Sequence, residues 1–280
     1  MKISVITAVY NRRDTISDTL ASVAAQTHPD IEHIIQDGGS TDGTLERIHA
    51  HPGTGLDLVS APDDGIYDAI NRGIARTTGE IVGLLHSDDL FASPEVLARV
   101  AERFEDPQVC GVYGDLQYVS AADPTRVIRY WRAGAYAPAQ LRRGWMPPHP
   151  TLYLRRQVFE QYGAYDTSFR IAADYDAMLR WLGRGIRVAY LPEVMVNMRI
   201  GGESNRSLGR ILRKSREDYS ALRRNDAGGL LTLAMKNARK LPQFLRREPI
   251  QPNGNQAWRR RHSSPARTAP IWRSCCWRRA

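Results

Sequence analysis

The sequence predicts an α/β protein with a doubly wound, mostly parallel sheet, helices on both faces, and a helical C-terminal extension. Over the first 115 residues, short β-rich apolar runs alternate with amphipathic helical stretches, which is the pattern of a parallel sheet covered on both faces. Polar segments follow the apolar runs directly. Beyond residue 200 two further helical patterns appear without strands between them, so they extend the α/β unit.

The first half contains five predicted strands and two clear amphipathic helices. Thr15 to Ala25 carries Ile16, Leu20 and Val23 at three- and four-residue spacing, which indicates one buried helix face. Pro94 to Phe104 shows the same periodicity. The predicted strands are Lys2–Ala8, Ile31–Gln36, Leu56–Ser60, Ile81–His86 and Val109–Tyr113.

The second half mixes strand and helix patterns and then becomes basic. Strands are predicted at Val127–Trp131, Thr151–Leu154 and Val188–Leu191, and helices at Asp174–Leu182, Leu208–Arg224 and Leu230–Phe244. We therefore predict a domain over residues 1–200, made of two halves (1–115 and 116–200). A basic amphipathic helical extension follows (201–248), and then an Arg-rich, disordered tail (249–280) without Asp or Glu.

Composition and charge exclude several classes. With 42% hydrophobic and 25% charged residues the chain is typical of globular proteins. Residues 1–198 hold 19 Lys and Arg against 25 Asp and Glu, a net charge of −6. Residues 199–280 therefore carry a charge of +15, which gives the total of +9. The larger, acidic part gives no reason to bind a polyanion, and we expect no nucleic-acid partner.

Cysteine content and hydropathy indicate a cytoplasmic protein. Three cysteines, of which Cys275 and Cys276 are adjacent, form no disulfide framework or metal-binding spacing. No window approaches the ~20 consecutive apolar residues of a membrane-spanning helix. The N-terminal segment lacks the apolar stretch of a signal peptide.

Polar side chains follow three of the predicted strands, where parallel sheets bind ligands. The first strand ends in Tyr10-Asn11, the second in the turn Asp37 to Thr44 (DGGSTDGT), and the fourth in Ser87-Asp88-Asp89. Taken alone, the glycine-rich turn is equally typical of a well-capped βα turn. Two adjacent carboxylates at the end of a buried strand repel each other unless a cation lies between them and an anionic ligand. The acidic pair therefore predicts a metal and anion site.

Together with the segment Gly65 to Gly73 (GIYDAINRG), these motifs resemble the family 2 glycosyltransferases of the GT-A fold. The likeness covers roughly residues 1–200 and rests on four motifs in order. It implies a nucleotide-sugar donor, Mg²⁺ or Mn²⁺, and inversion at the anomeric carbon. One hexosyl or deoxyhexosyl group would pass to a hydroxyl of a glycan or lipid-linked acceptor, in cell-surface polysaccharide or glycolipid biosynthesis.

The resemblance also implies roles for individual residues. It matches Asp89 to the metal, Asp88 to the ribose-diphosphate side of that site, and Asp37 to recognition of the base. Because a carboxylate only accepts hydrogen bonds, Asp37 suits the imide N–H of uracil or guanine and suits cytosine poorly, so UDP- and GDP-sugars both remain. Arg72 is expected to bind the donor, and the alternative is that it is a solvated arginine on the face of its helix. The expected donor-binding residues are Thr7, Tyr10, Asn11, Asp37, Asp68, Arg72, Asp88 and His149.

The start of the predicted helix at Asp174 is expected to hold the catalytic base. The family carries a Glu-Asp or similar acidic pair here, whereas this chain has Ala173-Asp174, so the first acidic partner is missing. The alternatives are that Asp174 only caps the helix and that Asp176 is the base.

A proline-stiffened loop before that helix, Gly144 to Thr151, places an aromatic ring and an imidazole near the expected site. Sugar rings stack on aromatic faces, so Trp145 is a candidate acceptor contact. His149 is a candidate donor contact. The alternative for both is a structural role in the loop.

Two other functions compete with a transferase. A dinucleotide-dependent oxidoreductase would require Gly-x-Gly-x-x-Gly after the first strand, and Thr7 to Arg12 contains no glycine. A non-enzymatic protein would use the basic C-terminal third to bind nucleic acid or an anionic membrane. Basic amphipathic helices of this kind lie on anionic membranes, so the enzyme is also expected on the cytoplasmic face of the cell membrane. The alternative is packing of those helices on the catalytic domain.

Overall fold

The computed structural model describes residues 1–52, 55–200 and 208–239, and it confirms the α/β fold. The strands are β1 Ile3–Val9, β2 Ile31–Asp37, β3 Leu56–Ser60, β4 Ile81–Leu84, β5 Leu90–Phe91, β6 Gly111–Val119, β7 Val127–Trp131, β8 Tyr153–Arg155 and β9 Val188–Arg199. The α-helices are α1 Ile16–Ala24, α2 Thr44–His49, α3 Ile66–Arg76, α4 Val96–Phe104, α5 Arg156–Tyr162, α6 Ala173–Gly183, α7 Leu208–Arg224 and α8 Leu230–Ala238. Two short 3-10 turns cover Pro138–Arg143 and His149–Thr151.

The described strands form one mixed sheet in the order β3-β2-β1-β4-β8-β6-β9-β5, with β7 paired to β6. β1 runs parallel to β2 and β4, and every residue of β1 is buried. Burial on both faces explains why this strand reads as a continuous apolar run. Val9 pairs with Asp37, so the first two strands end side by side.

The second half of the sheet contains the antiparallel pairs. β8 is antiparallel to β4 and to β6, β7 is antiparallel to β6, and β5 is antiparallel to β9, whereas β6 and β9 are parallel. β6 crosses the predicted division at residue 115, so the predicted nucleotide-sugar-binding half (1–115) and acceptor-side half (116–200) share one sheet. β4 ends at Leu84, two residues earlier than predicted, because the chain turns where the N–H of Asp89 donates to the His86 carbonyl.

The two C-terminal helices pack on the α/β unit over their described residues. Ala221 and Leu222 of α7 are fully buried in the core cluster that contains the apolar face of α6. In the same interface Lys236 of α8 and Asp218 of α7 form a buried ion pair at 2.7 Å. The predictions for residues 201–207, for 240–248 with Leu241 and Phe244, and for the tail 249–280 lie outside the described residues. Within the described ranges, none of the helices has the length and apolar character to cross a bilayer.

A buried polar contact ties the central strands together. The Thr7 hydroxyl donates to the Leu85 carbonyl at 2.9 Å and contacts Nε2 of His33 at 2.9 Å. Because the hydroxyl hydrogen is already used, the His33 ring is the donor in the second contact and carries its proton on Nε2. Burial, with a smaller contribution from the charge of His51, lowers the pKa of His33 to about 3. His33 is therefore neutral in the folded protein.

This neutral histidine predicts a pH dependence of stability. Between pH 6.5 and pH 3 the unfolded chain binds a proton at His33 that the folded protein does not bind, so stability falls as the pH is lowered. From pH 7 to pH 5 the loss at this one residue is about 2 kcal/mol. Gln at position 33 also donates to Thr7 but does not titrate. Urea unfolding at both pH values should show a smaller loss for His33→Gln than for wild type, by about that amount. Equal losses in both proteins would contradict the assignment.

Candidate active site

An open cavity of about 460 Å³ lies at the carboxyl ends of β1 and β2. Tyr10 is 57% exposed at its edge, and the other lining residues are Gly38, Asp63, Asp64, Gly65 and Arg170. Tyr10 was predicted as a donor contact, and the structure places it on this accessible surface. Asp63, Asp64 and Arg170 were not predicted, because charged residues in loops carry no periodic signal.

Beneath this cavity Asp37 organises the glycine-rich turn. The carboxylate is fully buried and accepts hydrogen bonds from the N–H groups of Gly39 and Ser40 and from the hydroxyls of Ser40 and Ser60, at 2.5–3.0 Å. These bonds make Asp37 the cap of the turn, and its predicted contact with a nucleotide base stays a prediction.

Asn11 joins the first strand end to the same turn. Its backbone adopts a positive φ of 51°, its N–H donates to the Ser40 hydroxyl at 2.8 Å, and its side-chain oxygen accepts the N–H of Thr41 at 2.9 Å. These contacts hold the two strand ends together. The predicted contact of Asn11 with the donor stays a prediction.

Three other predicted donor contacts differ in their surroundings. Thr7 lies inside the sheet and is fully buried, and its predicted contact with a donor stays a prediction. Arg72 and Asp68 form an ion pair at 2.7 Å on α3, and Arg72 also donates to the Pro62 carbonyl at 2.9 Å. Asp68 stands about one helical turn and Arg72 about two turns from Gly65 at the cavity edge, and the predicted donor role of both stays a prediction.

The two adjacent carboxylates after β4 occupy different environments. Asp88 is half-buried. Asp89 is only 1% exposed, and its Oδ1 accepts the N–H of Arg199 at 3.1 Å. Burial, and then the charge of Asp88, raise the pKa of Asp89 well above its usual value. The Oδ2 atom of Asp89 is buried without a hydrogen-bond partner among the described residues. The metal contact predicted at Asp89 stays a prediction, and Asp88 is the more exposed of the two carboxylates.

Asp174 stands at the second residue of α6, partly exposed. Its Oδ1 accepts the N–H of Tyr175 at 2.8 Å and lies 3.3 Å from the hydroxyl of Tyr67, which comes from α3. Burial alone would raise the pKa of Asp174, but the charge that His149 carries at low pH, the charges of Lys214 and Lys236 and the N–H of Tyr175 outweigh burial, and the pKa is lowered. The structure thus presents an ionised carboxylate at this position.

Two histidines lie beside this carboxylate. The ring centres of His86 and His149 are 6.1 Å apart, and Nε2 of His149 is 2.8 Å from the hydroxyl of Tyr165. Burial lowers the pKa of His149 to about 4. It also lowers the pKa of His86, although the charges of Asp88 and Asp174 act in the opposite direction. Both imidazoles are therefore neutral near pH 7 and can donate or accept hydrogen bonds.

Burial also distinguishes the alternatives for the base and the acceptor contact. Asp176 is 2% exposed, accepts a hydrogen bond from Asn225 at 2.9 Å and lies 3.7 Å from Arg180, which favours a structural role. Trp145 is 6% exposed, stacks on Tyr136 and donates from Nε1 to the Ala133 carbonyl at 2.9 Å. Trp145 also lines a cavity of about 150 Å³, and its predicted acceptor contact stays a prediction.

The donor set fits a divalent cation held jointly with a ligand. Among the described residues no three His, Cys, Asp or Glu side chains form a preassembled metal site. Mg²⁺ is commonly bound by one or two carboxylates and the phosphates of a substrate, and Asp88 offers one such carboxylate. The neutral rings of His86 and His149 are compatible neighbours because they add no positive charge.

The sequence and the fold identify the family. A model described as glycosyl transferase family 2 matches residues 4–171, and the chain belongs to this family. A Mycobacterium tuberculosis protein named an uncharacterized glycosyltransferase is 33% identical over 184 residues, covering 64% of this chain and 68% of its own. A Mycobacterium bovis protein named PGL/p-HBAD biosynthesis glycosyltransferase is 31% identical over 208 residues, covering 72% and 78%.

Solved structures show the same fold at low identity. TarS 1-349 of S. aureus superposes with a TM-score of 0.62 at 18% identity, covering 86% of this chain and 72% of its own. The mannosyltransferase PcManGT of Pyrobaculum calidifontis, solved in complex with GDP-Man and Mn²⁺, gives a TM-score of 0.62 at 20% identity, covering 87% and 73%. Family membership decides between the predicted classes in favour of a glycosyltransferase.

Thr7 and Tyr10 provide a test of which strand-end residues face the ligand. Thr7→Val removes buried hydrogen bonds at nearly constant volume and should cost about 1–3 kcal/mol of unfolding free energy, with UDP and GDP affinity unchanged. Tyr10→Ala removes an exposed ring and should leave stability within about 0.5 kcal/mol while weakening nucleotide binding about 3- to 10-fold. Calorimetric titration and urea unfolding measure both quantities. The reverse pattern would restore Thr7 as a ligand contact.

Proposed function

We propose that this protein is an inverting glycosyltransferase that moves one sugar from a nucleoside diphosphate sugar to a hydroxyl of a glycan or glycolipid intermediate. The observation that carries the proposal is the partly exposed Asp174, which lies 3.3 Å from the Tyr67 hydroxyl and acts together with Asp88 on the same His86 ring. A carboxylate base near a second carboxylate that can hold a cation suits a single displacement at a sugar carbon.

Asp174 is the base of this displacement. It accepts the proton of the acceptor hydroxyl as the acceptor oxygen bonds to the anomeric carbon. The bond from that carbon to the diphosphate oxygen breaks, and its electron pair leaves with the nucleoside diphosphate. A carboxylate with a lowered pKa is a weak base, so proton transfer must accompany departure of the leaving group. Tyr67, 3.3 Å from Asp174, fixes the direction of the carboxylate.

The leaving diphosphate needs its charge neutralised. We propose that Asp88 holds a divalent cation, Mg²⁺ or Mn²⁺, which supplies Lewis-acid stabilisation of the leaving group when bound. Asp89, beneath it, orients the loop through its bond to the Arg199 backbone. His149, oriented by Tyr165, is placed to donate a hydrogen bond to a donor oxygen.

Donor and acceptor class are supported by the relatives and neighbours. Solved neighbours carry UDP, UDP-GlcNAc, or GDP-Man with Mn²⁺, so a UDP- or GDP-sugar and a divalent metal are proposed here. The mycobacterial relative named for PGL/p-HBAD biosynthesis supports a lipid-linked glycan as the acceptor. The cavity at Tyr10 gives the nucleoside an accessible place beside the strand ends.

We also propose attachment to the cytoplasmic face of an anionic membrane, which would bring the enzyme to a lipid-linked acceptor. Four large apolar side chains of the C-terminal helices are exposed although their neighbours pack on the core: Ile211, Leu212, Leu230 and Leu231. Exposed arginines accompany them at positions Arg213, Arg216, Arg223 and Arg239. Apolar side chains with adjacent cations are the pattern that binds anionic lipid.

Turnover tests the base and the metal carboxylate separately. A thermal-shift screen of UDP-, GDP-, dTDP- and CDP-sugars with and without Mn²⁺ selects the donor, and release of the nucleoside diphosphate measures turnover. Asp174→Asn should keep donor affinity but lose two to four decades of kcat, the usual contribution of a general base. Asp88→Asn should lose the Mn²⁺-dependent part of donor binding.

Asp176→Asn is the matched control, since it changes a carboxylate of the same helix that faces away from the site. Near wild-type kcat is expected for Asp176→Asn. A dead Asp176→Asn with an active Asp174→Asn would move the base to Asp176, and undiminished wild-type turnover in excess EDTA would remove the metal from the proposal.

Membrane attachment has a direct test. Cosedimentation with phosphatidylglycerol vesicles should exceed that with phosphatidylcholine vesicles and weaken in high salt. Leu230→Ser with Leu231→Ser should lose several-fold in binding, whereas Ile128→Ser, an exposed apolar residue of β7, should not. Equal binding to both lipids, or equal loss in the control, would contradict the proposal.

A further inference from the structure

The backbone that leads into α6 is held by a side chain from α7. Oε2 of Glu217 accepts the N–H of Ile171 at 2.8 Å and the N–H of Ala172 at 2.9 Å. These are the two residues directly before the helix that carries Asp174. In the described structure the Ala172 cap position makes no side-chain capping bond, so Glu217 supplies from a distant helix the acceptor for these backbone donors.

The same short segment is held from the opposite side by α3. The hydroxyl of Tyr67 donates to the Ile171 carbonyl at 2.9 Å and also contacts Asp174. The N–H of Ile171 is thus bound to Glu217 and its C=O to Tyr67. With both of its polar groups engaged, residue 171 can neither rotate nor shift without breaking a bond, and the direction of the first turn of α6 is fixed.

α7 is itself firmly seated, so Glu217 stands on a rigid support. The residue after Glu217, Asp218, pairs with Lys236 in a buried contact at 2.7 Å. One turn further, Ala221 and Leu222 are fully buried. A carboxylate presented from such a helix has few orientations available, which is what placement of a reacting group to within a fraction of an ångström requires.

We propose that Glu217 is a positioning residue for the catalytic base, and that it sets the orientation of Asp174 toward the acceptor hydroxyl through the backbone of Ile171 and Ala172. The inference rests on the proposed role of Asp174. It assigns a catalytic purpose to α7, which lies beyond residues 4–171 that match the family model. Lys214, on the same helix, and Lys236 contribute the positive field at Asp174.

The test compares two substitutions at Glu217 with one control on the same helix. Glu217→Ala removes both backbone bonds and should lower kcat about 10- to 100-fold with the donor Kd unchanged. Glu217→Gln keeps an acceptor oxygen and should recover kcat to within about 5-fold of wild type. Arg224→Ala removes an ion pair from α7 to Asp166, in the loop that precedes α6, and should leave kcat within about 2-fold.

A double-mutant cycle separates positioning from general loosening. If Glu217 acts through Asp174, then Glu217→Ala should have no further effect on the residual rate of Asp174→Asn, because effects of groups that act as a unit do not add. An equal fold-loss in both backgrounds would overturn the proposal, as would a kcat of Glu217→Ala within 2-fold of wild type. An Asp174→Asn variant with wild-type activity would instead refute the proposed function.

Hydrogen exchange and a shorter carboxylate keep the proposal testable if the alanine variant does not fold. Glu217→Asp retracts the carboxylate by one methylene, so it should lose kcat and should speed exchange of the Ile171 and Ala172 amides relative to wild type. Unchanged exchange together with unchanged kcat in Glu217→Asp would overturn the positioning role.

Discussion

The first turn of α6 is held on both sides by hydrogen bonds, and the chemistry assigned to this protein depends on that constraint. Glu217 binds the N–H groups that precede the helix, and Tyr67 binds the carbonyl of Ile171. Tyr67 belongs to α3, which packs on β1. Asp174 is therefore connected through Tyr67 and α3 to the central strands of the sheet. The base and the ligand-binding strand ends are therefore parts of one connected framework.

The site separates charged from neutral groups by burial. The pKa of Asp174 is lowered by its basic neighbours despite burial, whereas burial keeps His86 and His149 neutral. Asp89 is pushed toward its neutral form because it lies beneath Asp88 in a buried position. Asp174 and Asp88 are thus the accessible carboxylates, at the places where a proton and a cation would be received. His86 and His149 add little net charge of their own.

Much of the fold could be predicted from the sequence, because buried parallel strands are continuous apolar runs and α4 has a clear helical period. The site was predicted less evenly. Asp174 and Tyr10 follow recognisable motifs, and the structure leaves both accessible. Asp89 and Asp37 follow motifs equally well, but the structure buries both carboxylates, and burial of a single side chain has no local signal. The role of Glu217 could not be predicted from the sequence, since its backbone partners are about 45 residues away in the chain. The sequence of α7 shows only the pattern of a basic amphipathic helix.

The anomeric configuration of the product tests the central claim most directly. With one base at Asp174 and a single displacement, an α-linked nucleotide sugar must give a β-linked product. Proton NMR of the transfer product, read from the coupling constant at the anomeric hydrogen, determines the configuration. The account predicts complete inversion. A product that retains the donor configuration would require a covalent or otherwise two-step route and would contradict the assignment of Asp174 as the base.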